Sequence, residues 1–200
     1  MINRMTTDML RTYAFVDADY LRNGLRDIGV DGTTVRVPDV VKVAMQDVQK
    51  ERGDANTWLG RTMRTSRIFI YGAIDEESRD TSAVEAWLKR NGEEFDTHVR
   101  WGRLAGTPGK GRGARQKAVD VQLAVDAVVG AGRGIFDVAL LLAGDADFVP
   151  VVEAIREAGP LVAVYAFKKS LAAELHTAAD HVAYLRTDPA SWEAWTFPKG

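Results

Sequence analysis

Apolar residues recur along the chain in two patterns, and the two alternate. Short apolar runs at 13–16, 68–72, 135–143, 161–167 and 181–185 read as buried strands, with a less regular one at 95–101. Between them the apolar positions fall three and four apart. Residues 18–28 place Leu21, Leu25 and Ile28 on one helical face, and Gly29 closes that helix. Pro38 suits the first turn of a second helix reaching about residue 52, with Val41, Met45 and Val48 inward. Further helices are predicted over 76–89, with Val84 and Leu88 as the apolar stripe, over 114–131, over 147–158, and from Ser170 as cap to about 179. Turn signals separate them: Asp31-Gly32, residues 53–57, Asn91-Gly92, and a stretch from 102 to 113 with Gly102, Gly106, Gly109, Gly111 and Gly113.

Strands alternating with helices predict an α/β fold: a three-layer α/β/α sandwich around a mainly parallel central sheet, Rossmann-like in plan. Right-handed crossovers then bring the C-terminal ends of the strands to one edge, where ligands bind at the switch in strand order. One domain is expected over 12–187, preceded by a segment at 1–11 and followed by a tail at 188–200. The tail carries Trp192, Trp195 and Phe197. Left free, three aromatics would form an exposed apolar patch. They are expected to dock on the body, or to offer a contact to a second copy or a protein partner.

Composition narrows the class. With 46% hydrophobic and 27% charged residues the chain is ordinary globular material. A net charge of −2 argues against a protein that coats nucleic acid without selectivity, but local patches outweigh the sum. The absence of cysteine removes disulfides and thiolate metal sites. No stretch approaches the roughly 18 apolar residues of a membrane span, and the first eight residues have no signal-peptide core. A soluble, cytoplasmic protein is expected.

The candidate chemistry lies where apolar runs stop at carboxylates. The run 140–143 ends in Gly144-Asp145-Ala146-Asp147-Phe148, and the run 13–16 ends in Asp17. Asp120 falls early in the helix that precedes the first of these. Each has a bland explanation. Asp17 and Asp147 are good helix caps, and Asp120 suits the positive end of its helix. Together at one sheet edge, three or four carboxylates would repel each other unless a cation neutralised them. A hard dication takes oxygen ligands, and it can activate water for phosphodiester cleavage. Asp19 stands near enough to be a spare ligand, although a surface place is expected; Asp126 points elsewhere and reads as structural.

Basic residues adjoin the acids. From 97 to 119 there is no Asp or Glu, while Arg100, Arg103, Lys110, Arg112, Arg115 and Lys117 all fall inside. Such a segment can track a phosphate backbone, and Trp101 could stack on a base or sit in the core. Arg61, Arg64 and Arg67 form a second cluster. Other chemistries find no pattern: His98, His176 and His181 lack zinc spacing, and neither a G-x-S-x-G elbow nor a Walker loop occurs.

Three stretches carry a resemblance: Ala14-Phe15-Val16-Asp17, Lys117-Ala118-Val119-Asp120-Val121 and Ala143-Gly144-Asp145-Ala146-Asp147-Phe148. With Ser170-Leu171, Ala179-Asp180 and Tyr184-Leu185 behind them, the chain from about 12 to 186 resembles the NYN domain family, LabA/DUF88-like proteins of the PIN-like nuclease superfamily. The resemblance implies a PIN-like fold and a metal-dependent endoribonuclease acting on RNA. Asp17, Asp120, Asp145 and Asp147 would form the catalytic, metal-holding set, with Mg²⁺ or Mn²⁺ as the metal. Arg112, Arg115, Lys117 and Ser170 would bind substrate. Where the family often has Asn three residues after the first aspartate, this chain has Tyr20, with Asp19 and Asn23 alongside. Two rivals remain: an RNA- or protein-binding module that keeps the fold without its chemistry, and a phosphatase or nucleotide hydrolase using the same edge.

Overall fold

The computed structural model describes residues 9–51, 62–73, 81–94, 96–102 and 112–198; the side chains of 50, 51, 101, 102 and 112–117 also lie outside the description. Among the described residues, six strands form one sheet in the order β3-β2-β1-β4-β5-β6. They are β1 (Met9–Asp17), β2 (Thr62–Ala73), β3 (Thr97–Gly102), β4 (Val138–Leu142), β5 (Leu161–Ala166) and β6 (His181–Tyr184). Every pairing is parallel. The helices are α1 (Ala18–Asp27), α2 (Val37–Glu51), α3 (Thr81–Gly92), α4 (Arg112–Gly132), α5 (Val149–Glu157) and α6 (Ala173–Ala178).

Period-two alternation sorts the strands' side chains onto two faces. Val16, Ile70, Leu140 and Leu142 share one core with α1, α2 and α3. Phe15, Tyr71, Leu141 and Ala143 share the other with α4, α5 and α6. Helices cover both faces, so this is the expected α/β/α sandwich, with an all-parallel sheet. The chain builds outward from β1 through β2 to β3, then returns through α4 to β4 on β1's other side. The switch point therefore falls between β1 and β4, the strands that carry Asp17 and lead into Asp145.

Boundaries moved where pairing, rather than apolar content, decides them. β1 starts four residues before the apolar run and β2 six before its own, because 9–12 pair with 62–65 despite their polar content. A bulge between Thr12 and Tyr13 restores register for the apolar halves. β3 starts at Thr97 because Asp96 is held at φ +55°, a left-handed turn conformation. The start expected at 95 and that of the helix expected at 76 lie outside the described residues. Gly29, at φ +80°, closes α1 as expected.

The aromatic tail packs on the body. Asp188 caps a 3₁₀ segment over Pro189–Trp195. Trp192 is 1% exposed and stacks on Phe167, with Trp195 edge-on to it. Arg36 N–H donates to Trp195 O at 2.7 Å, and Phe197 N–H to Thr34 O at 2.8 Å. These aromatics are committed within the chain, so an oligomer or partner contact through them finds no support. Among the described residues no helix is long and apolar enough to cross a membrane.

Candidate active site at the C-terminal edge of the sheet

Asp17 is the last residue of β1 and the cap of α1. Its Oδ1 accepts from Asp19 N–H at 3.0 Å and Tyr20 N–H at 2.9 Å. Capping explains its position and not its cost. Only 9% of the residue is exposed. Burial pushes the carboxyl up to about 7 against the pull of the Tyr20 N–H, with Asp19 and Asp120 adding repulsion.

Asp120 enters from α4, on the sheet face to which the alternation also assigns Asp17. It is half-buried. Burial raises its carboxyl to about 6, and Asp145, Asp19 and Asp147 push in the same direction. Asp120 is thus the member within electrostatic reach of the most others. Among the described residues no hydrogen bond engages its side chain.

At the end of β4, Gly144 permits a close approach that a side chain would block. A Cβ there would lie 2.5 Å from Ser170 O and 2.5 Å from Tyr20 Cε2. Asp145 then caps a 3₁₀ turn over Ala146–Phe148, its Oδ1 accepting from Asp147 N–H at 3.1 Å. The expected roles are exchanged. Asp147 is not the cap of the following helix, because α5 begins at Val149 behind Phe148, which makes no side-chain cap. Both carboxylates are exposed.

Asp19 belongs to the group more firmly than its sequence position suggested. Its Oδ2 accepts from Ala73 N–H at the end of β2 at 3.3 Å, and its Oδ1 pairs with Arg22 at 3.0 Å. Burial raises its carboxyl, with Arg22 opposing. The one available sequence signal was its place two residues after Asp17; the reach to β2 was invisible. Asn23 is exposed and bonded to Arg26 at 2.9 Å. Asp126 is structural as expected, accepting from Tyr71 OH at 2.9 Å.

Ser170 does not cap α6. That helix begins at Ala173 behind Ala172, which has no side-chain cap. Ala172 N–H instead donates to Gly144 O at 2.9 Å, and Ser170 Oγ lies 3.0 Å from Tyr20 OH. Arg112 and the helical backbone at Arg115 and Lys117 belong to the first turns of α4, just ahead of Asp120. Their side chains lie outside the described residues, as do that of Trp101 and all of Arg61, Arg103 and Lys110. Arg64 and Arg67 are not brought to the site. They pair in register with Arg11 and Tyr13 on β1, whereas Asp17 pairs with Tyr71 further along.

With this geometry in place, the sequence signature of the NYN domain matches residues 11–186. The chain belongs to the NYN domain family. That family is part of the PIN-like superfamily, a nuclease-like, nucleic-acid-acting group. The fold is similar to a crystal structure of a Vibrio parahaemolyticus protein of unknown function, at a TM-score of 0.57 and 18% identity over 90% of this chain and 94% of that one. No curated protein matches.

Within this NYN domain, what could hold a metal follows from the donors. Among the described residues, no three His, Asp or Glu side chains are close enough together to hold an ion between them. A closed protein cage is therefore not built from them. A hard dication that keeps several waters and takes one or two carboxylates needs no such cage. The oxygen-only donors, with two carboxyls raised by burial and mutual repulsion, suit that kind of ion.

Proposed function

We propose that this NYN domain is a metal-dependent endoribonuclease that cleaves RNA phosphodiester bonds at the β1/β4 switch point. The observation that carries the proposal is the placement of Asp17 at the end of β1 and of the exposed Asp145 and Asp147 just after the neighbouring β4, with Asp120 on α4 over the same face. Mg²⁺ or Mn²⁺ would sit among Asp17, Asp145 and Asp147, bound directly by one or two of these carboxylates and reached by the rest through the waters it keeps. A bound dication supplies charge stabilisation at phosphate and acidification of water. Asp120, half-buried with a raised carboxyl, would ligate the ion or orient the attacking water, accepting its proton near neutral pH. Two backbone donors, Asp19 N–H and Tyr20 N–H, fix the orientation of the Asp17 carboxyl. Arg112, Arg115, Lys117 and Ser170 would bind the RNA backbone on the approach to the carboxylates.

The test is cleavage of RNA by purified protein in Mg²⁺ or Mn²⁺. Wild type is expected to cleave, and Asp145→Asn to be inactive with its fold intact by circular dichroism. Cleavage unchanged in Asp145→Asn, after contaminating nuclease is excluded, would overturn the proposal.

One observation favours a second reading, an RNA- or protein-binding module: no three donors among the described residues gather closely enough to hold an ion. Calorimetric titration separates the two. RNA binding without any Mn²⁺ binding at millimolar levels would favour the module.

A further inference from the structure

Tyr20 stands where the resemblance expects Asn, yet its side chain is fully committed. Its ring lies over Gly144, as the 2.5 Å approach of a Gly144 Cβ to Tyr20 Cε2 shows, and it packs on Phe167 with centroids 6.0 Å apart. Its hydroxyl receives the Phe167 N–H at 2.9 Å and lies 3.0 Å from Ser170 Oγ. Its own N–H caps Asp17 at 2.9 Å. One residue thus ties α1, the end of β4 and the loop after β5 to the first carboxylate.

The Tyr20–Ser170 contact can run either way, and the direction that also uses the Ser170 contact with Phe167 O has Tyr20 donating. A phenol has one hydrogen and can accept as well. Phe167 N–H can only donate, so Tyr20 oxygen accepts there. The phenolic hydrogen then needs an acceptor, and Ser170 Oγ is the one in reach among the described residues. With Tyr20 donating, Ser170 Oγ accepts and its own hydrogen is left to donate. Its resting acceptor is Phe167 O at 3.5 Å, the outer limit of a hydrogen bond. Ser170 is exposed, and its carbonyl lies over Gly144, next to Asp145. A weakly held hydroxyl hydrogen is therefore presented at the sheet edge beside the acidic group.

We propose that Tyr20 is a positioning residue that orients the Ser170 hydroxyl to donate to a non-bridging phosphate oxygen of bound RNA. This rests on the nuclease reading above and adds to it the residue that aims one substrate contact. The donors run in one direction, from Phe167 N–H to Tyr20, from Tyr20 O–H to Ser170, and from Ser170 O–H to phosphate. The phenol keeps its proton throughout.

The experiment compares Tyr20→Phe, Ser170→Ala, Ser170→Thr and the Tyr20→Phe/Ser170→Ala double variant on a short single-stranded RNA. KM and kcat are measured in Mn²⁺, and Kd by anisotropy in the Asp145→Asn background. Phe keeps the ring on Gly144 and Phe167, so thermal melting of each variant checks the fold. Ser170→Ala is expected to raise KM and Kd about tenfold, the value of one hydrogen bond to a charged group, with kcat little changed. Tyr20→Phe is expected to raise both by less, Ser170→Thr to match wild type, and the double variant to equal Ser170→Ala. A Tyr20→Phe variant that binds as wild type would overturn the proposal, as would effects that multiply in the double variant. Wild type that binds RNA but does not cleave it defeats the nuclease reading alone and leaves the Kd series to decide this one. Wild type that binds no RNA overturns both.

Discussion

The two strand ends that flank the switch point carry the same local device in different surroundings. Asp17 and Asp145 each follow a buried strand, and each caps the turn that comes next through Oδ1. Asp17 lies beneath the first turn of α1, and burial pushes it up to about 7. Asp145 projects into solvent beyond Gly144. Capping sets where both carboxylates stand. Burial decides which one carries an energetic penalty that a cation would relieve. The β1 end is the strained half of the site, and the β4 end the accessible half.

The largest effect should come from removing either half's charge. Asp17→Asn and Asp145→Asn are each expected to lower kcat by at least about a hundredfold in Mn²⁺, the scale of a lost acid–base or ligand group. The two should part company in metal-free stability. The folded Asp17 carboxyl titrates near 7 against an ordinary 3.8, so the folded chain keeps a proton that the unfolded chain releases. That contribution is complete below about 3.8 and is lost as pH rises through 7. Wild type without metal should therefore melt at lower temperature at pH 8 than at pH 5. Asp17→Asn keeps the acceptor oxygen and removes the ionisation. It is expected to reduce that slope, leaving the part that the raised Asp120 and Asp19 carboxyls contribute, and to melt about 5 °C or more above wild type at pH 8. Asp145→Asn should keep most of the slope, losing only the share that Asp145 adds through Asp120. Equal slopes in all three proteins would remove the contrast between the two strand ends.

How much of this was legible in the sequence follows the same division. The strands and their order of appearance could be read from apolar runs, because burial on both faces demands such runs. Asp17, Asp145 and Asp147 could be placed at the sheet edge because parallel topology leaves them nowhere else. The exchange of capping roles between Asp145 and Asp147 could not be read, since both residues are competent caps and the choice turns on a 3₁₀ segment before α5. Asp19's reach to Ala73 N–H depends on where β2 ends relative to β1, a register set across 54 residues. Tyr20 showed only as a departure from a family pattern. Its role came from contacts with Gly144, Phe167 and Ser170, all distant in sequence.

The accessible half should be the more fragile to small steric changes. Gly144→Ala would set a methyl 2.5 Å from Ser170 O and from the Tyr20 ring. One neighbour is backbone, so the strand end must shift. The expected loss is about 1–3 kcal/mol by urea denaturation, with cleavage reduced as Asp145 moves. An alanine variant with unchanged stability would mean that Tyr20 does not hold the loop against β4.

The smallest effect tests whether Asp120 is set apart from its own helix. Asp126 lies on α4 six residues later and is bonded rather than crowded: Tyr71 OH donates to it at 2.9 Å, and Arg100 pairs with it at 3.4 Å. Burial and this neighbouring carboxylate raise the Tyr71 hydroxyl, which keeps it a donor at every pH of interest. Tyr71→Phe removes the donor and keeps the ring. It is expected to cost about 1 kcal/mol, because the exposed Arg100 still partners the carboxylate. Tyr71 also pairs in register with Asp17, so the same hydrogen bond fixes α4 against the strand end that the site uses. If that tether sets Asp120's distance from Asp17, Tyr71→Phe should lower kcat modestly and leave KM alone. A loss of stability with kcat unchanged would show that α4 is positioned by its packing on Phe15 and Leu141, and that the hydrogen bond serves the fold only.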